Sequence, residues 1–220
     1  MSQDIAQPLF RYRLCFGKRG PLRFLGHLDL MHIFERTFRR ARVPLVYGQG
    51  YRSRPRFQIA NALPFGHTSE GELADVWLKR QFDSQELLKV LQNSVPLGLW
   101  ISDVSEIEPC APSLPSQVVS AEYEVCLDPD SDISGTTIKA LLDAEKLPRA
   151  RRGKSYDLRP LIEHLELASD SNGVRVRMCL LAKEGATGRA DEVLAALGLD
   201  STNLIVHRLR ILLQRYQVVA

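Results

Sequence analysis

The sequence predicts an α+β protein made of two tandem ferredoxin-like (split-βαβ) domains. Two observations support this prediction. Apolar residues switch between strand and helix periodicity in the order strand, helix, strand, strand, helix, strand, and the same order recurs later in the chain. A proline-rich segment separates the two series. We therefore expect a basic N-terminal domain at 1–108, a linker at 109–118 and a C-terminal domain at 119–220.

The elements of the first domain follow from hydrophobic periodicity. Apolar and polar residues alternate in the first strand, and apolar positions recur at helical spacing in the first helix until Pro44 stops the pattern. Ser84 is expected to cap the second helix. The predicted elements are a strand at 9–16, a helix at 27–42, short strands at 45–47 and 56–60, a strand at 72–79, a helix at 84–93 and a strand at 100–108.

The second domain repeats this order. Residues 157–165 are compatible with an extended segment or with a helix that carries Pro160 in its first turn. The predicted elements are a strand at 122–128, a helix at 136–145, an extended segment at 155–167, a strand at 174–182, a helix at 189–197 and a strand at 204–214.

Composition limits the possible environments of the protein. The chain has 220 residues, of which 45% are hydrophobic and 25% charged, as in ordinary globular proteins. No apolar run approaches the roughly 18–20 residues of a membrane span, and the first ten residues lack the pattern of a signal peptide. We expect a cytoplasmic protein without membrane association.

The four cysteines do not form a metal-binding motif. They are widely separated and include no C-x-x-C pair, which argues against a zinc knuckle or an iron–sulfur cluster built from local spacing. We predict no metal site and no cofactor. Cys126 and Cys179 lie in apolar strand-like runs, so they are expected to be buried thiols.

Charge is unevenly distributed along the chain. The first 60 residues carry twelve Lys or Arg against three Asp or Glu, whereas the remaining 160 carry 17 against 23. Eleven of the twelve bases are Arg, whose planar guanidinium pairs bidentately with phosphate and stacks on bases. The first domain is therefore expected to bind a polyanion, although a solvated face that only maintains solubility is the alternative.

The first predicted helix places four of its polar residues on one exposed face, namely His32, Arg36, Arg39 and Arg40. Cations at this spacing repel one another unless anions neutralise them, which favours phosphate binding over simple solvation.

The loop at 47–56 combines glycines, two tyrosines and Arg at every second position near its end. Such a loop can stack on bases and follow a phosphate backbone, as single-stranded or looped RNA requires. Alternatively, it is a hairpin loop in which Tyr47 and Tyr51 complete the core. The residues predicted to bind nucleic acid are Arg23, Arg36, Arg39, Arg40, Gln49, Tyr51, Arg52, Arg54 and Arg56.

His27, His32 and Asp29 are the candidates for acid–base chemistry. A structural explanation also exists, because Asp29 complements the helix dipole and His27 can act as a cap. A second basic cluster at 149–154 follows the predicted helix at 136–145. It either complements the dipole of that helix or extends an RNA-binding surface.

Several motifs resemble the radical SAM-linked protein family, an uncharacterised bacterial domain. The main match runs from Arg23 to Met31. The sequence departs from the family pattern in the loop at 47–56, where Arg54 stands in place of the family His. This replacement disfavours His-dependent catalysis in the loop. Further matches are at 34–36, 39–41, 49–51, 55–56, 62–64, 157–160 and 191–194, and at Gly66, Ser69 and Glu72.

The resemblance implies that the protein acts together with a separate radical SAM enzyme. It also implies a role in RNA metabolism, because that family is associated with RNA metabolism. This chain lacks the three-cysteine cluster motif of such enzymes, so it is not expected to catalyse that chemistry itself. The leading hypothesis is a non-catalytic RNA-binding accessory protein that presents tRNA or rRNA to a radical SAM enzyme. The alternatives are a metal-independent endoribonuclease and a protein–protein adaptor that docks on a radical SAM partner.

Overall fold

The computed structural model describes residues 9–48, 53–128, 131–151, 153–171 and 173–214. It has few helices, and its strands pair mostly in antiparallel fashion, which confirms the α+β class. The elements in chain order are β1 (Phe10–Lys18), a 3-10 turn (Gly20–Phe24), α1 (His27–Arg40), β2 (Phe57–Ile59), β3 (Thr68–Leu78), α2 (Ser84–Gln92), β4 (Leu99–Ile107), α3 (Leu114–Gln117), β5 (Val118–Cys126), α4 (Gly135–Asp143), β6 (Pro148–Arg151), β7 (Lys154–Asp157), a 3-10 turn (Arg159–Leu161), β8 (Ile162–Asp170), β9 (Gly173–Lys183), β10 (Ala186–Thr187), α5 (Ala190–Ala196) and β11 (Val206–Leu213).

The chain divides into two compact units. Unit 1 consists of Met1–Phe65 and Gly71–Pro115, and unit 2 consists of Gly66–Glu70 and Ser116–Ala220. The predicted domain boundaries place residues 66–70 in the first domain, whereas the structure groups them with unit 2.

Residues 66–70 belong to unit 2 because the start of β3 pairs with its last strand. Thr68 pairs in parallel with His207 of β11, and the Thr68 Oγ1 and His207 Nδ1 atoms are 2.8 Å apart. The rest of β3 pairs with strands of unit 1. Periodicity alone describes β3 as one strand and cannot show which partners each half has.

In unit 1, the strands are neighbours in the order β2, β3, β1, β4, and β1–β4 and β2–β3 are antiparallel pairs. The core contains apolar residues of α1, α2 and all four strands. Phe34 of α1 is fully buried, with its ring centroid 4.8 Å from that of Phe16 and 4.9 Å from that of Phe57. Burying a side chain of this size contributes about 1.5–3 kcal/mol, so Phe34 fixes α1 against β1 and β2.

Two local predictions for the part of unit 1 after α1 are wrong. Asp83, and not Ser84, caps α2, because its Oδ1 accepts hydrogen bonds from the backbone amides of Gln85 and Glu86, each at 3.0 Å. A carboxylate also interacts favourably with the positive end of the helix dipole.

The second wrong prediction is the strand at 45–47. Leu45 forms an isolated bridge with Leu78, and Tyr47 forms another with Pro55. Pro55 has no backbone N–H, so a regular ladder cannot continue through it.

A buried charge cluster lies on the face of the unit 1 sheet opposite the helices. Arg11 is 1% exposed and Asp75 is fully buried, and Nε and Nη2 of Arg11 donate to Asp75 Oδ2 at 2.9 and 2.6 Å. Nε of Arg13, which is 14% exposed, donates to Asp75 Oδ1 at 2.8 Å. Two guanidinium groups therefore share one carboxylate.

Arg11 also connects β1 to the segment predicted to be a linker. Its Nη1 donates to the carbonyl oxygen of Ala111, and its Nη2 donates to that of Pro112 at 2.8 Å. The predicted linker at 109–118 includes α3 and the first residue of β5. Its first half therefore supplies acceptors to a buried side chain of unit 1.

In unit 2, the strands are neighbours in the order β8, β9, β5, β11, and each of these pairs is antiparallel. Ile138 and Leu141 of α4 and Val193 and Leu194 of α5 are buried. The hairpin β6–β7 forms a separate two-stranded sheet, and β10 pairs with the end of β9.

All four cysteines are free thiols, and the prediction that Cys126 and Cys179 are buried is wrong. Cys126 is exposed and Cys179 is half-buried, because alternate residues of a strand face opposite sides of the sheet. The Cys179 thiol donates to Glu163 Oε2 at 3.3 Å. Burial, this hydrogen bond, and the charges of Glu163 and Glu122 raise the pKa of Cys179 to about 12.

Asp75→Asn is expected to lower the free energy of unfolding of unit 1 by about 3–5 kcal/mol, because the buried Arg11 charge loses its counter-ion. Both tryptophans, Trp77 and Trp100, are in unit 1. Their fluorescence during a urea titration therefore measures the stability of this unit.

The matched control is Glu106→Gln. This carboxylate is exposed and accepts from Gln81 Nε2 at 3.2 Å, so its replacement should change the unfolding free energy by no more than about 0.5 kcal/mol. Equal stabilities of the Asp75 and Glu106 variants would contradict a structural role for the buried cluster.

Cys179 should react with iodoacetamide at pH 8 much more slowly than the exposed Cys110 and Cys126, because little of its thiol is ionised. Glu163→Gln removes one cause of the raised pKa and should accelerate its labelling. Mass spectrometry of timed digests measures each rate, and equal rates for the three cysteines in the wild-type protein would contradict the assigned pKa.

Candidate functional site

Most of the basic residues in the first 60 positions are exposed on unit 1. Arg11 and Lys18 are buried, and Arg13 and Arg23 are half-buried. The exposed ones in the described part of this segment are Arg19, Arg36, Arg39, Arg40, Arg42, Arg54 and Arg56. Among the described residues of this segment, these seven arginines are the most accessible charges for a partner.

A cavity of about 270 Å³ lies beside α1 in unit 1, and we call it the α1 cavity. Residues of helix α1 line one wall of the cavity, and residues of the segment that leads into β2 line the other wall. The lining residues are His27, Leu28, Met31, His32, Glu35, Phe38, Arg54, Pro55 and Phe57. Helical spacing explains the first wall, because residues three, four and seven apart share a face.

The inner wall of the α1 cavity is aromatic and well supported. Phe38 is 1% exposed and Phe57 is 8% exposed, and their ring centroids are 5.3 Å apart in an edge-to-face arrangement. Both rings also contribute to the core of unit 1. The apolar wall is therefore held rigidly by the fold.

Glu35 lines the α1 cavity and lies next to two other polar side chains of α1. Glu35 Oε1 accepts from Arg39 Nη2 at 3.2 Å, and Glu35 Oε2 is 3.8 Å from His32 Nδ1. Glu35 thus lies between a cation and a titratable ring. Arg39 and His32 are 72% and 63% exposed, so solvent and ligands can reach both.

His27 and Asp29 have different roles at the start of α1. Gly26 is the N-cap residue, and its amide donates to Asp29 Oδ2 at 3.3 Å. Asp29 is therefore occupied with the helix end and does not line the cavity. His27 is the first residue of the helix, is exposed and lines the cavity, so the prediction that it acts as a cap is wrong.

Arg54 differs from the other predicted phosphate-binding residues that the structure describes, because it lines the α1 cavity. Its side chain forms no ion pair with a described residue. The structure thus brings Arg54 close to His27 and His32, which lie more than twenty residues earlier in the chain. The two histidines are acid–base candidates in the sequence, and Arg54 is a predicted phosphate-binding residue.

The remaining predicted residues lie elsewhere on unit 1. Arg40 Nη1 donates to the carbonyl oxygen of Ser94 at 3.1 Å, and Arg36 is exposed on the same helix. Arg56 stacks over Trp77, with its Cζ 4.4 Å from the ring centroid.

Arg23 occupies another place, over the exposed ring of Phe24 at 4.6 Å. Phe24 in turn packs on the exposed Phe65, with 5.5 Å between their centroids. Gln49, Tyr51 and Arg52 lie outside the described residues.

Sequence reasoning missed the apolar half of the α1 cavity. Phe38 belongs to the predicted apolar face of the first helix and Phe57 to a predicted strand, and nothing local distinguishes a core residue that also lines a cavity. From the sequence, Glu35 is identified only as one of the three acidic residues in the basic N-terminal segment. Its spacing of three from His32 and four from Arg39 is the signal that could have identified the rim.

Within the described ranges, no group of three or more His, Cys, Asp or Glu side chains is arranged to hold a metal ion. In the same residues, no helix is long and apolar enough to cross a membrane.

Comparison with known proteins gives one decisive match. A family model described as "Uncharacterized protein conserved in bacteria (DUF2344)" matches residues 11–190, which is most of the chain. The chain belongs to this family. The matched range of this DUF2344 protein includes every residue that lines the α1 cavity.

Two further comparisons contribute nothing to the assignment. No curated protein matches this DUF2344 chain significantly. Among solved structures, a crystal structure described as a "putative glycine cleavage system transcriptional repressor" has 11% sequence identity and a TM-score of 0.25, covering 94% of this chain and 99% of that chain. A TM-score this low carries no argument about fold or function.

Proposed function

We propose that this DUF2344 protein is a non-catalytic RNA-binding accessory protein whose α1 cavity receives an unpaired base of a tRNA or rRNA. The observation that carries the proposal is the pairing of a rigid apolar wall, Phe38 and Phe57, with Arg54 at the same cavity. RNA is read mainly at unpaired bases, which pack on aromatic side chains while cations contact the backbone.

The chemistry of each wall supports this assignment. Phe38 and Phe57, which are almost fully buried, close the cavity with apolar surface, and the exposed imidazoles of His27 and His32 offer flat rings and hydrogen-bonding nitrogens to a base. The forked guanidinium of Arg54 suits a phosphate of the same nucleotide. A cavity of this size is at the small end of ligand pockets, which is consistent with one base and not with a whole helix.

We also infer that both units are ferredoxin-like. In each, the pairing order places the fourth strand beside the first, the first beside the third, and the third beside the second, when β6, β7 and β10 are counted as insertions. Each unit inserts one helix between its first and second strands and another between its third and fourth.

The partner enzyme in this proposal is a radical SAM enzyme. Its support is the resemblance of the motifs around Arg23–Met31 to the radical SAM-linked protein family, together with the absence of a three-cysteine cluster motif from this sequence. The accessory protein would hold the RNA while the separate enzyme modifies it.

Arg54→Gln should weaken binding of a single-stranded RNA by about tenfold and reduce the slope of log K against log salt by about one, because one phosphate contact is lost. Fluorescence anisotropy with a labelled tRNA anticodon-loop oligonucleotide at several salt concentrations measures both quantities.

The matched control is Arg80→Gln. Arg80 is also an exposed arginine of unit 1, but it stacks on Phe82 at 4.3 Å and does not line the α1 cavity. Its replacement should leave affinity nearly unchanged. Equal losses in both variants would indicate general attraction to polyanions and overturn the proposal. A complete failure to bind RNA would do the same and would favour the protein–protein adaptor.

A metal-independent endoribonuclease is the second candidate function, because His27 and His32 line the same cavity as Arg54. Two imidazoles beside a phosphate-binding cation are the groups that general acid–base cleavage of RNA requires. The departure from the family motif in the loop, Arg54 in place of His, argues against it.

Under the leading proposal, the wild-type protein should leave RNA intact during prolonged incubation with EDTA, since binding alone breaks no bond. Denaturing gel electrophoresis of end-labelled RNA detects any cleavage. If fragments form, and if His27→Ala or His32→Ala abolishes them while RNA affinity is retained, the protein is an endoribonuclease and the non-catalytic proposal is wrong.

A further inference from the structure

A second cavity lies in unit 2, with a volume of about 480 Å³, and we call it the hairpin cavity. The β6–β7 hairpin forms one side, and the turn between β9 and β10 with the residues after it forms the other. The lining residues are Arg151, Lys154, Tyr156, Asp157, Leu161, Gly185, Ala186, Thr187 and Arg189. Its volume falls in the range of small-ligand pockets.

Three cations converge on the hairpin cavity, namely Arg151, Lys154 and Arg189. None of them forms an ion pair with a carboxylate among the described residues. Arg151 is close enough to Asp191 to help lower the pKa of that carboxyl, but the hydrogen bond from His67 is the main cause of the lowered pKa. Within the described part of the chain, the three charges thus have no direct ion-pair partner.

Asp157 is the one acidic residue among those that line the hairpin cavity, and backbone groups occupy its carboxylate. Its Oδ1 accepts from the amides of Leu147 at 2.8 Å and Arg159 at 3.0 Å. These two hydrogen bonds are the main reason why the pKa of Asp157 is lowered. It shapes the turn after β7 and does not pair with the cavity cations.

Tyr156 contributes a second, independent feature. Its hydroxyl is buried and has no hydrogen-bond partner among the described residues. A buried hydroxyl without a partner is unfavourable, and a small rotation of the Tyr156 side chain towards the cavity would bring it to an acceptor on a bound group. An acceptor-rich anion next to three cations fits this requirement.

We propose that the hairpin cavity binds a phosphomonoester of small-molecule size. Such a group carries a charge of about −1.5 to −2 at pH 7 and three acceptor oxygens, which match three cations and a hydroxyl donor better than the single charge of an internal phosphodiester does. Leu161 and the ring of Tyr156 provide apolar surface for the organic part. This inference does not depend on RNA binding in unit 1.

The test is isothermal titration calorimetry of the full chain with inorganic phosphate and with ribose 5-phosphate. Both should bind, and the double variant Arg151→Gln/Arg189→Gln should weaken binding by at least about tenfold through loss of two charge-assisted hydrogen bonds. Tyr156→Phe, a milder change, should weaken it by roughly threefold.

Arg149→Gln is the matched control on the same hairpin. Its Nε is 3.9 Å from Glu192 Oε2, and it does not line the cavity, so its replacement should leave phosphate affinity unchanged. Arg54→Gln in unit 1 should leave it unchanged as well, which separates this proposal from the RNA proposal. Circular dichroism melts show whether each variant is folded.

Three results would overturn the inference. They are the absence of binding by either phosphate compound, equal weakening in the Arg149 control, and competition by an RNA decamer with a 5′-hydroxyl end that is as strong as competition by ribose 5-phosphate. The last result would mean that internal phosphodiesters occupy the cavity. If the double variant is unfolded, Tyr156→Phe decides, and unchanged affinity in that variant overturns the proposal.

Discussion

The ion cluster of Arg11, Arg13 and Asp75 is the constraint on which unit 1 depends. A buried carboxylate with one guanidinium would carry an unsatisfied oxygen, and the second guanidinium removes that deficit. The cluster fixes β1 against β3 from the side opposite the helices. Through its bonds to the carbonyl oxygens of Ala111 and Pro112, Arg11 also holds the chain that leaves β4.

This cluster changes how the charge of the basic N-terminal segment should be interpreted. Two of its arginines serve the fold, so a simple count of charge overstates what faces a ligand. The exposed arginines are not equally available to a ligand either, because Arg40 donates a hydrogen bond to a backbone carbonyl group and Arg56 stacks on Trp77. Arg54 stands apart, since it is exposed, lines a cavity and has no side-chain partner in the described structure.

The sequence was sufficient where local physics decides the outcome. The apolar spacing of Leu30, Phe34 and Phe38 predicts α1, and the alternation in β1 places Arg11 and Arg13 on the face away from the core. The sequence was insufficient where partners come from distant segments. Asp75 is 64 residues from Arg11 and looks like any strand acid until the sheet forms. The α1 cavity was equally hard to predict from the sequence, because its second wall comes from a different part of the chain, the segment that leads into β2.

Strand β3 carries a consequence for any attempt to separate the two units. A fragment that begins at Ser116 would lack residues 66–70, which pair with β11 in unit 2. The backbone groups of β11 that face Thr68 and Ser69 would then be left open along a sheet edge. Open edges of this kind template pairing with other chains, so such a fragment would be prone to self-association even though most of its core is present.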